Sequence, residues 1–408
     1  MEAVARIETL SWMREPATRA VLAALMAEGS VARFVGGSVR DALLGRENDD
    51  IDIATPDPPE RVTALLKGAG IKVVPTGIRH GTVTAVVPPR HFEITSLRRD
   101  VETFGRHATV EFTDNWREDA KRRDFTMNAL FLDEEGWVFD PVGGLPDLEA
   151  GRVRFVGDAA TRIEEDVLRL LRFYRFHAHY GRGEADASAR AACRAHEDRL
   201  PNLSGERVQA ELLKLLAAPD PLPTLALMAE DGVLERVLPE ACNRERLAAL
   251  ILLAPKSEPV LRLAALLPVG AGAAASVAAR LRLSRADTAR LAILAVPPWP
   301  VELGAGKRVQ RRALYRLGTA RYADLVLLRA AEGEEAPDIA RHLALAKDWK
   351  RPKFPLGGKD AAHFGVAPGP EMGRVLNSVE IWWEQGNFTA DHAACMKKLA
   401  ALCDAGAS

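Results

Sequence analysis

Asp50 and Asp52 stand two apart in the run Asp49-Asp50-Ile51-Asp52-Ile53. In a strand, residues two apart share a face, so both carboxylates project together while Ile51 and Ile53 turn to the core. Neighbouring carboxylates repel each other unless a cation lies between them. Oxygen ligands of this kind suit Mg²⁺. Asp49 points the other way and is expected to serve the turn. Upstream, Gly36-Gly37-Ser38-Val39-Arg40-Asp41 follows a short apolar run and opens a helix. Glycines there let a phosphate approach the backbone, and the free N–H groups of the helix start point at it. Arg40, one turn in, is placed to add a charge-assisted contact. Arg122-Arg123, just before Asp124-Phe125-Thr126-Met127-Asn128-Ala129, is a pair of guanidinium groups suited to a triphosphate. Taken singly, the groups are also compatible with a plain turn, a solvated strand end and a surface charge cluster, and a lone aspartate pair is more often the strand end. The glycine turn ahead of the paired aspartates is what raises them together.

The run from Glu164 to Phe176 (EEDVLRLLRFYRF) reads as a helix with apolar residues filling one side. Asp166 and Arg169 are three apart and so are expected as neighbours on its surface. A surface salt bridge is one use of such a pair. The other follows from hydrogen-bond polarity, because a carboxylate only accepts and a guanidinium only donates. Cytosine and adenine both present an exocyclic amine beside an acceptor ring nitrogen. One Asp–Arg pair can therefore read both and reject guanine and uracil, which present a ring N–H beside a carbonyl oxygen. Arg172 and Arg175 continue along the helix within reach of phosphates.

These groups need elements to hold them. Glu15 to Gly29 reads as a helix, Arg33-Phe34-Val35 and Ile51 to Ala54 as strands, and Pro59 to Leu66 as a second helix. Gly81 to Val87 and His91 to Leu97 alternate as paired strands around Pro88-Pro89, and a hairpin is expected around Glu135-Gly136. After Gly151, and from Ala159 onward, the pattern is almost wholly helical, broken at Pro219 to Pro223, Pro297 to Pro300 and Lys350 to Lys359. The expected fold is α+β, a mixed head followed by a long helical body, without a solenoid period.

The chain has 408 residues, enough for several domains and a substantial core. With 55 basic and 56 acidic residues the formal charge is −1, which argues against a protein that coats nucleic acid by bulk charge. Arginine dominates, with 43 Arg against 12 Lys, as coding bias or phosphate recognition would give. Cys193, Cys242, Cys395 and Cys403 form no CxxC pair, which argues against a zinc ribbon or disulfide framework and for reduced thiols in the cytoplasm. No signal pattern opens the sequence, and the longest uncharged run, Leu263 to Ala279, is broken by Pro268 and two glycines. No membrane association is expected. Gly304 to Arg308 lacks the first glycine and the Ser/Thr of a P-loop. Trp382-Trp383 is expected to pack a helix, and His177 and His179 to be packing or surface residues.

In this order, FVGGSVRDALLG, DIDIAT, PTGIRHGTVT, FEITSLRRD, the run GRHATVEFTDNWREDAKRRDFTMNAL, DPVGGLPDLEAGRVRFVG, RIEEDVLRLLRFYRF and SGERVQAELLKLL resemble the class II tRNA nucleotidyltransferase and poly(A) polymerase family of the polymerase β superfamily. The resemblance is strong from Phe34 to Leu216, with a weaker echo in LGGKDAAHFGVAPGPEMGRVL. It implies a nucleotidyltransferase head (1–150), a helical neck that recognises the base (151–223), a helical body (224–298) and a helical tail that binds tRNA (299–408). Asp50 and Asp52 would hold two Mg²⁺ ions. Gly37 and Arg40 match the triphosphate turn, and Arg123 matches a nucleotide contact. Asp166 and Arg169 match the pair that acts as a protein template for C and A, with Arg172 and Arg175 as further nucleotide contacts. The implied partners are CTP, ATP and the tRNA 3′ end, with no protein partner. Glu93, on the strand FEIT, is a candidate third carboxylate or a partner for Arg98 and Arg99.

Several activities share these motifs: full CCA addition, A-only or CC-only addition, and poly(A) tailing. Pro75 to Thr82 resembles the tRNA branch rather than the poly(A) branch. Arg98 to Phe112, with Gly105-Arg106-His107, resembles the flexible loop that CC-only enzymes lack. Full CCA addition is therefore expected, with A-only addition open. A catalytically silent RNA-binding protein would be favoured by loss of Asp50 or Asp52, and both are present. The basic stretch Lys350, Arg351, Lys353 and Lys359 is either an RNA contact or a solvated loop.

Overall fold

In a computed structural model, residues 1–47, 50–104, 107–333 and 339–406 are described; Asp49, Gly105 and Arg106 therefore lie outside the described residues. The chain divides into two compact units, Met1–Pro239 and Glu240–Ser408.

The first unit is built on strands β1 (Ala5–Arg6), β2 (Arg33–Val35), β3 (Ile51–Thr55), β4 (Lys72–Gly77), β5 (Thr82–Val87), β6 (Arg90–Ser96), β7 (Arg98–Phe104), β8 (His107–Phe112), β9 (Phe131–Leu132) and β10 (Trp137–Phe139). Eight of them form one mixed sheet in the order β1-β10-β9-β2-β3-β6-β5-β4. β3 runs parallel to β6, with Asp52 opposite Glu93, and antiparallel to β2. The parallel pairing requires a crossover, and the helix Pro59–Gly68 supplies it, packing on β4, β5 and β6. Ile51 and Ile53 are buried on one face of β3; on the other face Asp52 is partly buried and Ala54 fully so, and the strand is covered on both sides beyond Asp52. Val35, Ala54, Leu97, Ala120, Ala129, Phe131, Phe139 and Val156 form one apolar cluster beneath the sheet. The hairpin at Gly136 needs glycine, because φ is +88° and a Cβ would meet the Ile7 carbonyl oxygen at 2.2 Å.

β7 and β8 pair with each other as a separate two-stranded sheet. The segment that resembles the family's flexible loop thus carries two paired strands, Arg98–Phe104 and His107–Phe112. Val101, Thr103, Val110 and Phe112 give it the β-branched and aromatic content of strands. From Ala159 on, the described elements are all helical. Among the described residues no helix is long and apolar enough to cross a membrane.

The second unit has its own core, in which Trp383 packs with Tyr315, Val379, Leu399 and Cys395 and donates to the Ala390 carbonyl at 3.0 Å. Trp382 is partly buried against the same cluster. All four cysteines are free thiols, Cys193 and Cys395 buried and Cys242 exposed. Lys350, Arg351, Lys353 and Lys359 are all exposed, although Phe354 between them packs on Trp383.

Candidate active site

The turn after β2 begins at Gly36, whose φ of +74° and ψ of −131° form a backbone that L side chains rarely adopt. Ser38 closes the turn by donating to the Val35 carbonyl at 3.0 Å, and the helix Gly37–Leu43 follows. A Cβ on Gly36 would lie 3.5 Å from Asp52 Oδ2 and 3.6 Å from Arg123 Nη1. The glycine turn, the strand aspartate and the second arginine of the RRDFT run thus converge on one point. Asp50 is exposed and immediately precedes β3. Burial pushes the Asp52 carboxyl up to about 6, and the negative charges of Glu93 and Asp50 add to this against Arg123. Arg99 is engaged with Glu111 at 2.8 Å, so the acidic field of Glu93 bears on Asp52 rather than on that arginine.

Arg123 is held by a residue that motif reading passed over. The helix Trp116–Lys121 buries Asp119, which accepts from Arg122 at 2.7 Å and from Arg123 at 2.9 Å. Burial alone would raise the Asp119 carboxyl, but Arg123 and Arg122 outweigh it and hold it below the usual range. The spacing of Asp119 to Arg123, four residues, was the available signal.

The run expected as one helix is two. The helix Ala159–Glu165 ends at Asp166, whose φ of −152° and ψ of 105° are extended, and a new helix runs from Leu168 to Tyr180. Asp166 and Arg169 are therefore not joined in a helix-surface salt bridge. Asp166 Oδ2 accepts from Arg207 at 2.7 Å and its Oδ1 from the Leu168 N–H at 3.1 Å. Arg169 donates to Glu165 and to the Arg162 carbonyl. An Asx-type cap at the break competes with helix continuation, and that is why the pair separates. Both side chains stay partly exposed, at 19% for Asp166 and 14% for Arg169.

The other arginines enter a buried network. Arg40 closes on Asp41 at 3.0 and 2.8 Å, donates to Asn128 Oδ1 at 2.7 Å and lies 4.1 Å from the Tyr180 ring centroid. Asn128 donates to Asp124 at 3.1 Å, and Asp124 accepts from Arg172 Nε at 2.7 Å. Glu211 stands 3.1 Å from Arg175 and 3.8 Å from Arg172. Burial would raise Asp124, yet Arg172 keeps its carboxyl below the usual range. The structure therefore gathers Gly36, Asp52 and Arg123 at the sheet, with Gly37 opening the helix that follows the turn, and ties Arg40, Arg172 and Arg175 into the joint between the sheet and the helices after it. Asp124, Asn128, Arg207 and Glu211 were missed; all four lie inside quoted motifs, but only their distant partners reveal their use. His177 stacks on Phe173 at 6.3 Å and His179 Nε2 bonds to the Lys214 carbonyl at 2.7 Å, consistent with packing roles.

Residues 32–154 match the family model described as Poly A polymerase head domain, and residues 186–244 the one described as a probable RNA and SrmB-binding site of polymerase A. CCA tRNA nucleotidyltransferase 1, mitochondrial, of Danio rerio is 33% identical over 382 residues, covering 87% of this chain and 84% of the relative. The CCA-adding enzyme of Geobacillus stearothermophilus is 39% identical over 228 residues, 55% of each chain. The Bacillus stearothermophilus CCA-adding enzyme in complex with CTP superposes with a TM-score of 0.73 at 26% identity, over 96% of this chain and 99% of that one. The Thermotoga maritima CCA-adding enzyme complexed with tRNA-CCA shares the fold at a TM-score of 0.66 and 21% identity, over 98% and 100% of the two chains. With a third of its residues identical to a relative over most of both lengths, and with the sheet and helices in the same arrangement, the chain belongs to the CCA-adding tRNA nucleotidyltransferase family.

Proposed function

We propose that this chain adds C, C and A to the tRNA 3′ end from CTP and ATP, releasing pyrophosphate. The observation that carries the reading is the convergence of Gly36, Asp52 and Arg123, with Glu93 in register across β6. In the reaction, the tRNA 3′ hydroxyl attacks the α-phosphorus, a new P–O bond forms and the bond to pyrophosphate breaks. The charges that develop are on the attacking and leaving oxygens.

Nucleotidyl transfer in this family uses divalent metal; that the metal is two Mg²⁺ ions held by Asp50 and Asp52 is our reading. Mg²⁺ commonly takes one or two carboxylates and fills its other positions with water and substrate phosphate, a demand that Asp50 and Asp52 would meet. The mutual repulsion felt at Asp52 is the state that a cation would relieve. When bound, the metal would lower the hydroxyl pKa and neutralise charge on the leaving pyrophosphate.

The chain's own groups do the rest in this proposal. The Gly36-Gly37 turn gives phosphate access to the backbone, and Arg123, fixed by Asp119, donates to the triphosphate. Asp166 accepts from the exocyclic amine of C or A while Arg169 donates to the ring nitrogen. Arg40, Arg172 and Arg175 would share their remaining donors between their present carboxylates and the nucleotide. The helical neck, body and tail boundaries expected above, tRNA contact by the tail and a cytoplasmic location are part of the same proposal.

The test is incorporation into a tRNA transcript ending at the discriminator base. Two C residues with CTP alone, and a completed CCA with both nucleotides, are expected; chelation should abolish both and Mg²⁺ restore them. Addition of one A only to a CC-ended transcript would make this an A-adding enzyme. A long A ladder on unrelated RNA would place it in the poly(A) branch. Asp52→Asn should lower the rate by at least about a thousandfold, in line with removal of a group that organises transition-state charge.

A further inference from the structure

We propose that Arg207 is a specificity-determining positioning residue, which sets the carboxylate of Asp166 in the orientation that selects cytosine and adenine. The proposal rests on the reading of Asp166 as a base contact. Asp166 sits in the extended break between two helices, so no helical turn restrains its side chain. Two hydrogen bonds take that place, the Leu168 N–H on Oδ1 at 3.1 Å and the Arg207 guanidinium on Oδ2 at 2.7 Å. Each oxygen is anchored once. The plane of the carboxylate is thereby fixed, while each oxygen keeps acceptor capacity for an incoming amine. Discrimination by hydrogen-bond polarity is large only when the reading groups cannot turn to suit the wrong base.

Arg207 comes from the motif SGERVQAELLKLL, to which the activity assigned no role. It stands in the first turn of the helix Gly205–Leu216, which packs against the helix Leu168–Tyr180. Four residues on, and so on the same face, Glu211 meets Arg175 at 3.1 Å and Arg172 at 3.8 Å. The helix thus presents a positive and then a negative group to a negative and then a positive one. A slip by one turn would bring Arg207 towards the arginines of its neighbour and Glu211 away from them. The charge order fixes the register of the two helices, and with it the position of Arg207 over Asp166. At 26% exposure Arg207 is neither a free surface arginine nor a sealed core group.

The experiment compares wild type, Arg207→Met, Arg207→Lys and Asp166→Ala by steady-state incorporation of each of the four nucleotides into a CC-ended and a discriminator-ended transcript. Inhibition by inorganic tripolyphosphate with Mg²⁺ reads the phosphate subsite independently of the base. Arg207→Met is expected to raise KM for CTP and ATP about tenfold and cut selectivity over UTP and GTP by about tenfold, with kcat at saturation within about twofold. Tripolyphosphate inhibition should stay within about twofold of wild type. Arg207→Lys, which keeps the charge but not the planar fork, should recover part of the KM and less of the selectivity. If Arg207→Met does not fold, the same split between KM and selectivity in Arg207→Lys decides. Unchanged selectivity in the Arg207 variants with lost selectivity in Asp166→Ala would overturn the role of Arg207 and leave the base reading intact. Unchanged selectivity in Asp166→Ala would overturn the reading beneath both. Equal weakening of nucleotide and tripolyphosphate would mark Arg207 as a general support of the fold and overturn the proposal.

Discussion

Asp119 carries two arginines on one buried carboxylate, and the aim of Arg123 depends on it. Asp119→Asn would remove the carboxylate charge that both guanidinium groups share. Because each arginine is partly exposed, the expected loss is about 2 kcal/mol rather than the larger cost of a sealed pair. The folded-state value of this carboxyl lies below its ordinary 3.8. The stabilisation is therefore present above that ordinary value and is lost as pH falls through the depressed one. Urea unfolding should show the gap between wild type and Asp119→Asn at pH 7 and see it close in strong acid. CTP affinity should fall together with stability at neutral pH. At this scale the candidate groups were readable where a motif names its own partner by spacing, as Asp50 does with Asp52. It was unreadable where the partner is remote in sequence, as Arg207 is from Asp166 and Asn128 from Arg40.

The elements divide along the same line. β2, β3 and the β5–β6 pair follow from alternation and from the glycine and proline residues that bound them, and they place Asp52 where its sequence expects it. The helix break at Asp166 carries no such mark. Its backbone is open to any residue, and the apolar pattern continues through Val167 into Leu170 and Leu171, so periodicity alone joins the two helices. The paired strands Arg98–Phe104 and His107–Phe112 were passed over for another reason, since attention to the family's loop left the β-branched content of the segment unread. The turn at Gly36 can be tested as an element. Gly36→Ala would impose a side chain on a φ of +74° and place a methyl group 3.5 Å from Asp52 Oδ2. The backbone strain should cost about 1–3 kcal/mol in equilibrium unfolding. Incorporation of CMP should fall by more than that stability loss explains, because the turn would shift against Asp52.

At the scale of the molecule, every residue assigned to chemistry lies in the first compact unit, Met1–Pro239, while Trp383 and its aromatic neighbours organise the second. Trp383 lies 5.0 Å from Phe388, 5.5 Å from Phe354 and 5.7 Å from Tyr315 between ring centroids. Trp383→Ala should cost about 3–5 kcal/mol in the transition that reports the second unit. Calorimetry should show that transition lowered, while the dissociation constant for CTP stays within about twofold.

The arginines around the site have a collective consequence. Arg40 is answered by Asp41, Arg123 by Asp119, Arg169 by Glu165, Arg172 by Asp124, Arg175 by Glu211 and Arg207 by Asp166. These pairings leave few bare positive charges to act at long range. In the proposed reading an arriving triphosphate meets Arg40, Arg123, Arg172 and Arg175 with their carboxylates in place and uses the donors that those pairings leave over. Capture of free nucleotide should thus depend on fit more than on electrostatic attraction, and its rate should change little between low and physiological salt. The overall charge of −1 then suits an enzyme that takes up two polyanions, a nucleoside triphosphate and an RNA, and must let go of two, pyrophosphate and the extended RNA.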